Sequence, residues 1–254
     1  MFETLGHYKI LDRVGAGGLG EVYRARDTRV GRTVAVRMVT TAITSDPALK
    51  QRFMREARAC MALSHPSIAT LYDVGEDQGA LFVVSDFAPG DSLNTVVAGR
   101  PLNPRRAVDL AAQIADGLAE GHAASIAHGD LSSSNVIVTP KGNAKILDFG
   151  LTRWREPANV PQDTPDQPFD SGPDVLALGA VLYEMLTGAR PRTGAPTSTL
   201  MRDAQLPPDL AVIVRKGLID DAPKRYQSAT LFASDLRGFR AALEAKAAER
   251  ERFR

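Results

Sequence analysis

Near the amino end, Gly15-Ala16-Gly17-Gly18-Leu19-Gly20 sets glycines at a spacing that lets backbone N–H groups approach phosphate oxygens with no side chain in the way. Two other readings share that pattern: a tight hairpin without ligand, and a dinucleotide-binding turn, which follows a strand and opens a helix. Here Glu21-Val22-Tyr23-Arg24-Ala25 continues as a strand, which favours a hairpin over the dinucleotide turn. Polar groups recur further along, in Val34-Ala35-Val36-Arg37, Glu56, His128-Gly129-Asp130 with Asn135, and Asp148-Phe149-Gly150.

Other chemistries are excluded by composition. Cys60 is the only cysteine, so no internal disulfide forms, and no Cys/His group has metal-ligand spacing. With 31 basic against 30 acidic residues, global charge gives no reason to expect a nucleic-acid partner or an anionic membrane surface. The amino end carries Glu3, His7 and Lys9 rather than a leader's apolar run, and the longest apolar stretch, Val175 to Leu186, is interrupted by Glu184. No transmembrane segment is expected, and a cytoplasmic setting is.

Short strands open the chain at Tyr8–Val14, Glu21–Ala25 and Thr33–Val39. Pro47–Ser64 follows as an amphipathic helix, and two more strands lie at Ile68–Val74 and Leu81–Asp86. After Pro89-Gly90 helical patterning takes over, at Arg105–Ala123, Val175–Thr187, Pro208–Leu218 and Ser228–Glu249. The expected fold class is α+β with two lobes: a β-rich part over 1–88 with one main helix, a mostly helical part over 89–240, and a charged helical tail over 241–254.

The glycine run, Arg37 on its strand, Glu56 on the next helix, Asp130 with Asn135, and Asp148-Phe149-Gly150 arrive in an order that chance does not readily produce. From about Tyr8 to about Arg240 the chain resembles the protein-kinase family. Arg52-Phe53-Met54-Arg55-Glu56-Ala57, Leu63-Ser64-His65-Pro66 and Lys224-Arg225-Tyr226-Gln227-Ser228 look like the bacterial serine/threonine type. The resemblance implies that ATP is cradled by Gly15, Gly17 and Gly20, with Val22 and Ala35 on one face of the adenine and Ile137 on the other. It places backbone from Asp86 to Ala88 at the adenine edge, Ser85 as gatekeeper and Asp91 at the ribose. Asp148 and Asn135 would hold Mg²⁺, and Asp130 would orient the acceptor hydroxyl. Arg37 and Glu56 would form an ion pair. Cys60, Leu71, His128 and Phe149 would make an apolar spine, with Asp174 as its anchor.

Three departures bear on phosphate. Arg37 stands where the family has lysine, and a planar guanidinium does not replace a compact ammonium at a site that depends on position. Gly129 and Ser132 replace an arginine and a lysine of the catalytic loop, the second removing a cation from the transition state. Only 26 positions separate Asp148 from Asp174, and the stretch carries Pro157, Pro161, Pro165, Pro168 and Pro173, with Asp166 as a candidate partner for Arg225. The implied function is a kinase-like domain with little or no phosphoryl transfer, a pseudokinase that binds a protein partner. An active ATP-dependent serine/threonine kinase is the alternative, and a small-molecule phosphotransferase the third reading.

Overall fold

The computed structural model describes residues 3–17, 19–155, 169–192, 197–198 and 206–252. It divides into two units: Met1–Ala88 with Asp148–Pro168, and Pro89–Leu147 with Phe169–Arg254. The chain around Asp148 thus goes with the first unit, whereas the sequence reading ran the second lobe unbroken over 89–240. Asp148 bonds to Arg37, and Trp154 to Glu56, both partners lying in the first unit.

That unit begins with β1 (Thr4–Leu5), β2 (Tyr8–Gly17), β3 (Gly20–Asp27) and β4 (Thr33–Met38). Helices α1 (Thr41–Thr44) and α2 (Pro47–Cys60) follow, then β5 (Leu71–Asp77) and β6 (Ala80–Asp86). The six strands form one sheet in the order β1-β2-β3-β4-β6-β5, each neighbouring pair antiparallel. Strand periodicity sorts β4: Val34 and Val36 are buried, while Ala35 and Arg37 point to the other face and are half-buried. Val34 and Val36 join Leu5, Tyr8, Ala25, Phe82 and Val84 in a core on one side of the sheet. Asp46 starts α2 by accepting from the N–H groups of Ala48 and Leu49, with Pro47 at the first helical position. Phe53, Ala57 and Cys60, spaced by four and three, are its buried stripe.

The second unit contains β7 (Asp91–Ser92), α3 (Leu93–Val97), α4 (Pro104–Ala123), β8 (Val136–Val138), β9 (Ala144–Ile146), α5 (Gly172–Thr187), α6 (Pro208–Leu218) and α7 (Ala229–Arg252). The three strands pair as β7-β8-β9. α5 is apolar around most of its circumference, as a helix at the centre of a bundle must be. It meets α6 where glycine faces glycine: a Cβ on Gly179 would lie 2.6 Å from the Gly217 carbonyl oxygen, so no larger residue fits that crossing. α7 runs past position 241 without a break and pairs its charged face with α4 through Arg240 and Asp109, and Arg237 and Asp116. Among the described residues no helix is long and apolar enough to cross a membrane, and no group of His, Cys, Asp and Glu could hold a metal ion by itself.

Candidate functional site

The glycine run forms the end of the β2–β3 hairpin, with Gly15 opposite Val22 and Gly17 opposite Gly20. β3 runs directly out of it, so the helix that a dinucleotide turn requires is absent here. Gly20 cannot be replaced without movement. Its φ is +133°, and a Cβ would stand 1.7 Å from the Met38 carbonyl oxygen. Nearby, the Thr40 N–H donates to the Leu19 carbonyl at 3.0 Å, fastening the hairpin to the end of β4. A Cβ on Gly17 would lie 3.8 Å from Nη1 of Arg37, and one on Gly15 would meet nothing within 4 Å. Gly17 thus lies against the Arg37 guanidinium, while the space beside Gly15 is open.

Sheet register gathers the other first-unit residues. Val22 is paired with Arg37, Arg37 with Val83, and Ala35 with Ser85, which places these side chains on one face, opposite the Val34/Val36 core. The Asp86 N–H is committed to the Thr70 carbonyl at 2.8 Å, and Ala88 closes the first stretch of the unit.

Arg37 does not make the ion pair with Glu56 that the resemblance implies. Its Nη2 donates to both oxygens of Asp148, each at 2.8 Å. Glu56 is taken at both oxygens by other donors, Oε1 by Arg52 Nε at 3.1 Å and Oε2 by Trp154 Nε1 at 2.7 Å. The physical reason is the reach of the guanidinium: longer than a lysine side chain, it sets one terminal nitrogen, Nη2, against both oxygens of Asp148. Asp148 sits at φ +56°, an uncommon backbone state for a residue with a side chain. Arg37 and Asp148 also border a cavity of about 20 Å³ together with Cys60, Leu71, Ser85 and Phe149. Three of the four expected spine residues thus meet at one void large enough for about one water molecule.

In the second unit, the loop after α4 is organised by Asp174. Its Oδ2 lies 2.9 Å from His122 Nε2 and accepts the His128 N–H at 2.7 Å, while Oδ1 accepts the Gly129 N–H at 2.9 Å. Burial pushes this carboxyl up, but the His122 bond and the two N–H donors outweigh it and hold it below the usual carboxylate range. Asp130 is exposed at the loop's tip, and its carbonyl accepts from Asn135 Nδ2 at 2.8 Å. Asn135 Oδ1 accepts from the Ser132 N–H at 2.8 Å and from the Ser132 hydroxyl at 3.2 Å, so both of its lone-pair directions are engaged. Ile137 is half-buried on β8, and Asp91 lies on β7 opposite Val138.

The first unit thus brings together Gly15, Gly17, Gly20, Val22, Ala35, Arg37 and Asp148, with Glu56 held by other partners. The second carries Asp91, Asp130, Asn135 and Ile137. Pro157, Pro161, Pro165, Pro168 and the Asp166 proposed for Arg225 lie outside the described residues. Sequence reasoning passed over Trp154, although the only tryptophan of a chain, in a segment otherwise read through its prolines, is a signal for a buried anchor. It also treated Ser132 only as a lost cation, not as a donor to Asn135.

As Mg²⁺ ligands, Asp148 and Asn135 are right in kind, being oxygen donors. Both are engaged: Asp148 accepts from Arg37 at both oxygens, and the Asn135 amide oxygen accepts from Ser132.

The protein kinase domain model matches residues 8–233. PknA, a serine/threonine-protein kinase of Mycobacterium tuberculosis, is 35% identical over 93% of this chain and 62% of its own length. PknB of Mycolicibacterium smegmatis is 32% identical over 90% of this chain and 42% of its own. This chain therefore spans about half the length of these relatives. The crystal structure of the Mycobacterium tuberculosis PknI kinase domain superposes with a TM-score of 0.74 at 22% identity, covering 92% of this chain and 97% of that one. A family match over most of the length, with relatives more than 30% identical across nine-tenths of the chain, places the chain in the protein kinase family, among relatives of the bacterial serine/threonine type.

Proposed function

We propose that the chain is a kinase domain that binds Mg²⁺-ATP weakly and transfers phosphate poorly, serving chiefly to bind a protein partner in the cytoplasm. The observation that carries this reading is the Arg37–Asp148 pair. The cation meant for phosphate and the anion meant for metal neutralise each other, so nucleotide must break a charge-assisted contact before it is held. Ser132 adds to the deficit, since it supplies a hydrogen bond to Asn135 where a cation would meet the moving phosphoryl group. When bound, Mg²⁺ would neutralise phosphate charge, held through Asp148 and Asn135, with Gly15, Gly17 and Gly20 offering backbone N–H groups. Val22, Ala35 and Ile137 would take the adenine faces, Asp86 and Ala88 its edge, and Asp91 the ribose.

A second reading, an active serine/threonine kinase, is favoured by the intact loop in which Asp174 and Asn135 support Asp130. Radiolabelled transfer to a generic protein acceptor, beside calorimetric titration of Mg²⁺-ATP, separates the two. Wild type is expected to transfer far below the roughly 1 s⁻¹ of ordinary kinases, and the Arg37→Lys/Ser132→Lys double variant at least about tenfold faster than wild type. Wild-type transfer at about 1 s⁻¹ or above overturns the first reading in favour of the second.

A further inference from the structure

α5 ends on Gly188, whose φ is +77° and whose N–H returns to the Glu184 carbonyl at 2.8 Å. A Cβ there would stand 2.6 Å from the Gly99 carbonyl oxygen, so the turn is seated tightly against the chain between α3 and α4. Arg190, two positions on, is thereby brought to the loop that follows Asp130. Its Nη2 donates to the hydroxyls of Ser133 and Ser134 at 3.4 and 3.3 Å, and its Nε lies 3.5 Å from Glu184 Oε2. Glu184 is buried, and its Oε1 accepts the Ser133 hydroxyl at 2.9 Å, so one carboxylate anchors both Ser133 and Arg190.

Arg190 is positioned there but underpaired. All three of its contacts exceed the roughly 2.7–2.9 Å of a charge-assisted bond, two of the three acceptors are neutral hydroxyls, and the side chain is 60% exposed. Among the described residues Nη1 has no acceptor, and neither has the hydroxyl proton of Ser134, which is exposed where Ser133 is buried. From Gly129 to Asn135 the loop has no cation of its own. Ser134 precedes Asn135, whose amide holds the Asp130 carbonyl at 2.8 Å. The backbone from Asp130 to Ser134 spans at most about 14 Å, the length of about four residues of extended chain.

We propose that Arg190 and Ser134 form an anion subsite, selecting a partner segment by an Asp or Glu within about four residues of the hydroxyl it presents to Asp130. The proposal rests on the partner-binding reading above. The unspent N–H and O–H donors match a carboxylate, while Glu184 offsets part of the guanidinium charge, which keeps the expected gain at this exposed site to about fivefold in affinity.

The probes are short labelled alanine-glycine peptides with one central serine, flanked on both sides by glutamate, glutamine or arginine. Fluorescence anisotropy at low salt should show wild type binding the glutamate peptide about fivefold more tightly than the glutamine peptide and the arginine peptide most weakly, with the preference fading as salt is added. Arg190→Gln should bind the glutamate and glutamine peptides alike, and Arg190→Lys should keep part of the preference because the charge remains. Ser134→Glu sets a carboxylate against the guanidinium and should also abolish the preference, which keeps the test open should Arg190→Gln disturb the circular dichroism spectrum through Glu184. Equal affinity of wild type for the glutamate and glutamine peptides, binding of neither, or a preference that survives Arg190→Gln or Ser134→Glu overturns the subsite. None of these outcomes touches the reading of weak Mg²⁺-ATP binding, which calorimetric titration judges. Wild-type transfer at about 1 s⁻¹ would overturn that reading instead, and the subsite would persist as a preference for acidic acceptors in kcat/KM.

Discussion

Replacing Arg37 by methionine keeps the reach of the side chain and removes its charge, which isolates the Arg37–Asp148 pair. At 2.8 Å and an effective dielectric of about 20 the gross attraction is about 6 kcal/mol, most of it cancelled by lost hydration and side-chain entropy. Charge-assisted hydrogen bonds of this kind keep about 1.5–3 kcal/mol net. The pair is 15% and 11% exposed, so water solvates the orphaned partner only in part. Arg37→Met should therefore cost about 2–3 kcal/mol, and Asp148→Asn about 1–2 kcal/mol because the amide oxygen still accepts. The double variant should cost less than their sum by about 1.5 kcal/mol. The measurement is urea unfolding of all four proteins without Mg²⁺, fitted with separate transitions if the two units melt apart. A coupling below about 0.5 kcal/mol would show that the pair does not form in solution, and the account of weak nucleotide binding would lose its basis.

Two further outcomes follow from local geometry. Gly20→Ala should destabilise by about 2–4 kcal/mol in a thermal melt, since its Cβ would sit 1.7 Å from a carbonyl oxygen at φ +133°, while Gly15→Ala, with nothing within 4 Å, should cost under about 1 kcal/mol. Asp174 titrates lower folded than unfolded, so it contributes stability that is present above about pH 4 and is lost as pH falls through its folded value. The stability gap between wild type and Asp174→Asn should accordingly narrow between pH 6 and about pH 3; a gap that stays constant or widens refutes the assignment.

The elements were legible because the apolar periods change where the structure changes. Alternation in Thr33–Met38 and the four-and-three spacing of Phe53, Ala57 and Cys60 read directly as β4 and α2. Ends were harder. α2 stops at Cys60 rather than Ser64 because the following N–H groups turn back, Met61 onto Arg58 and Leu63 onto Cys60. β5 begins at Leu71 rather than Ile68, whose N–H closes a turn onto His65. The pairing of Arg37 was not legible at all. Position fixes which groups stand near one another, but the choice between two carboxylates depends on rotamers and on what else holds each acid. Trp154 holding Glu56 is a contact across 98 positions that no local pattern announces.

The two substitutions that looked like missing charges are better described as competitors. Arg37 occupies both oxygens of Asp148, and Ser132 occupies the single amide oxygen of Asn135, so each altered residue engages the side chain proposed to hold Mg²⁺ in its own unit. This changes what restoration should achieve. Lysine at 37 is shorter than arginine and would not carry its charge as far onto Asp148, so its main gain is a less engaged Asp148 and hence stronger Mg²⁺ dependence of binding. Lysine at 132 removes the hydroxyl from Asn135 but leaves the backbone N–H in place, so it frees the amide oxygen only by half. Its larger effect is the added cation, felt in the chemical step. Arg37→Lys should thus act first on affinity and Ser132→Lys first on turnover, a separation that simple loss of two equivalent phosphate contacts does not produce.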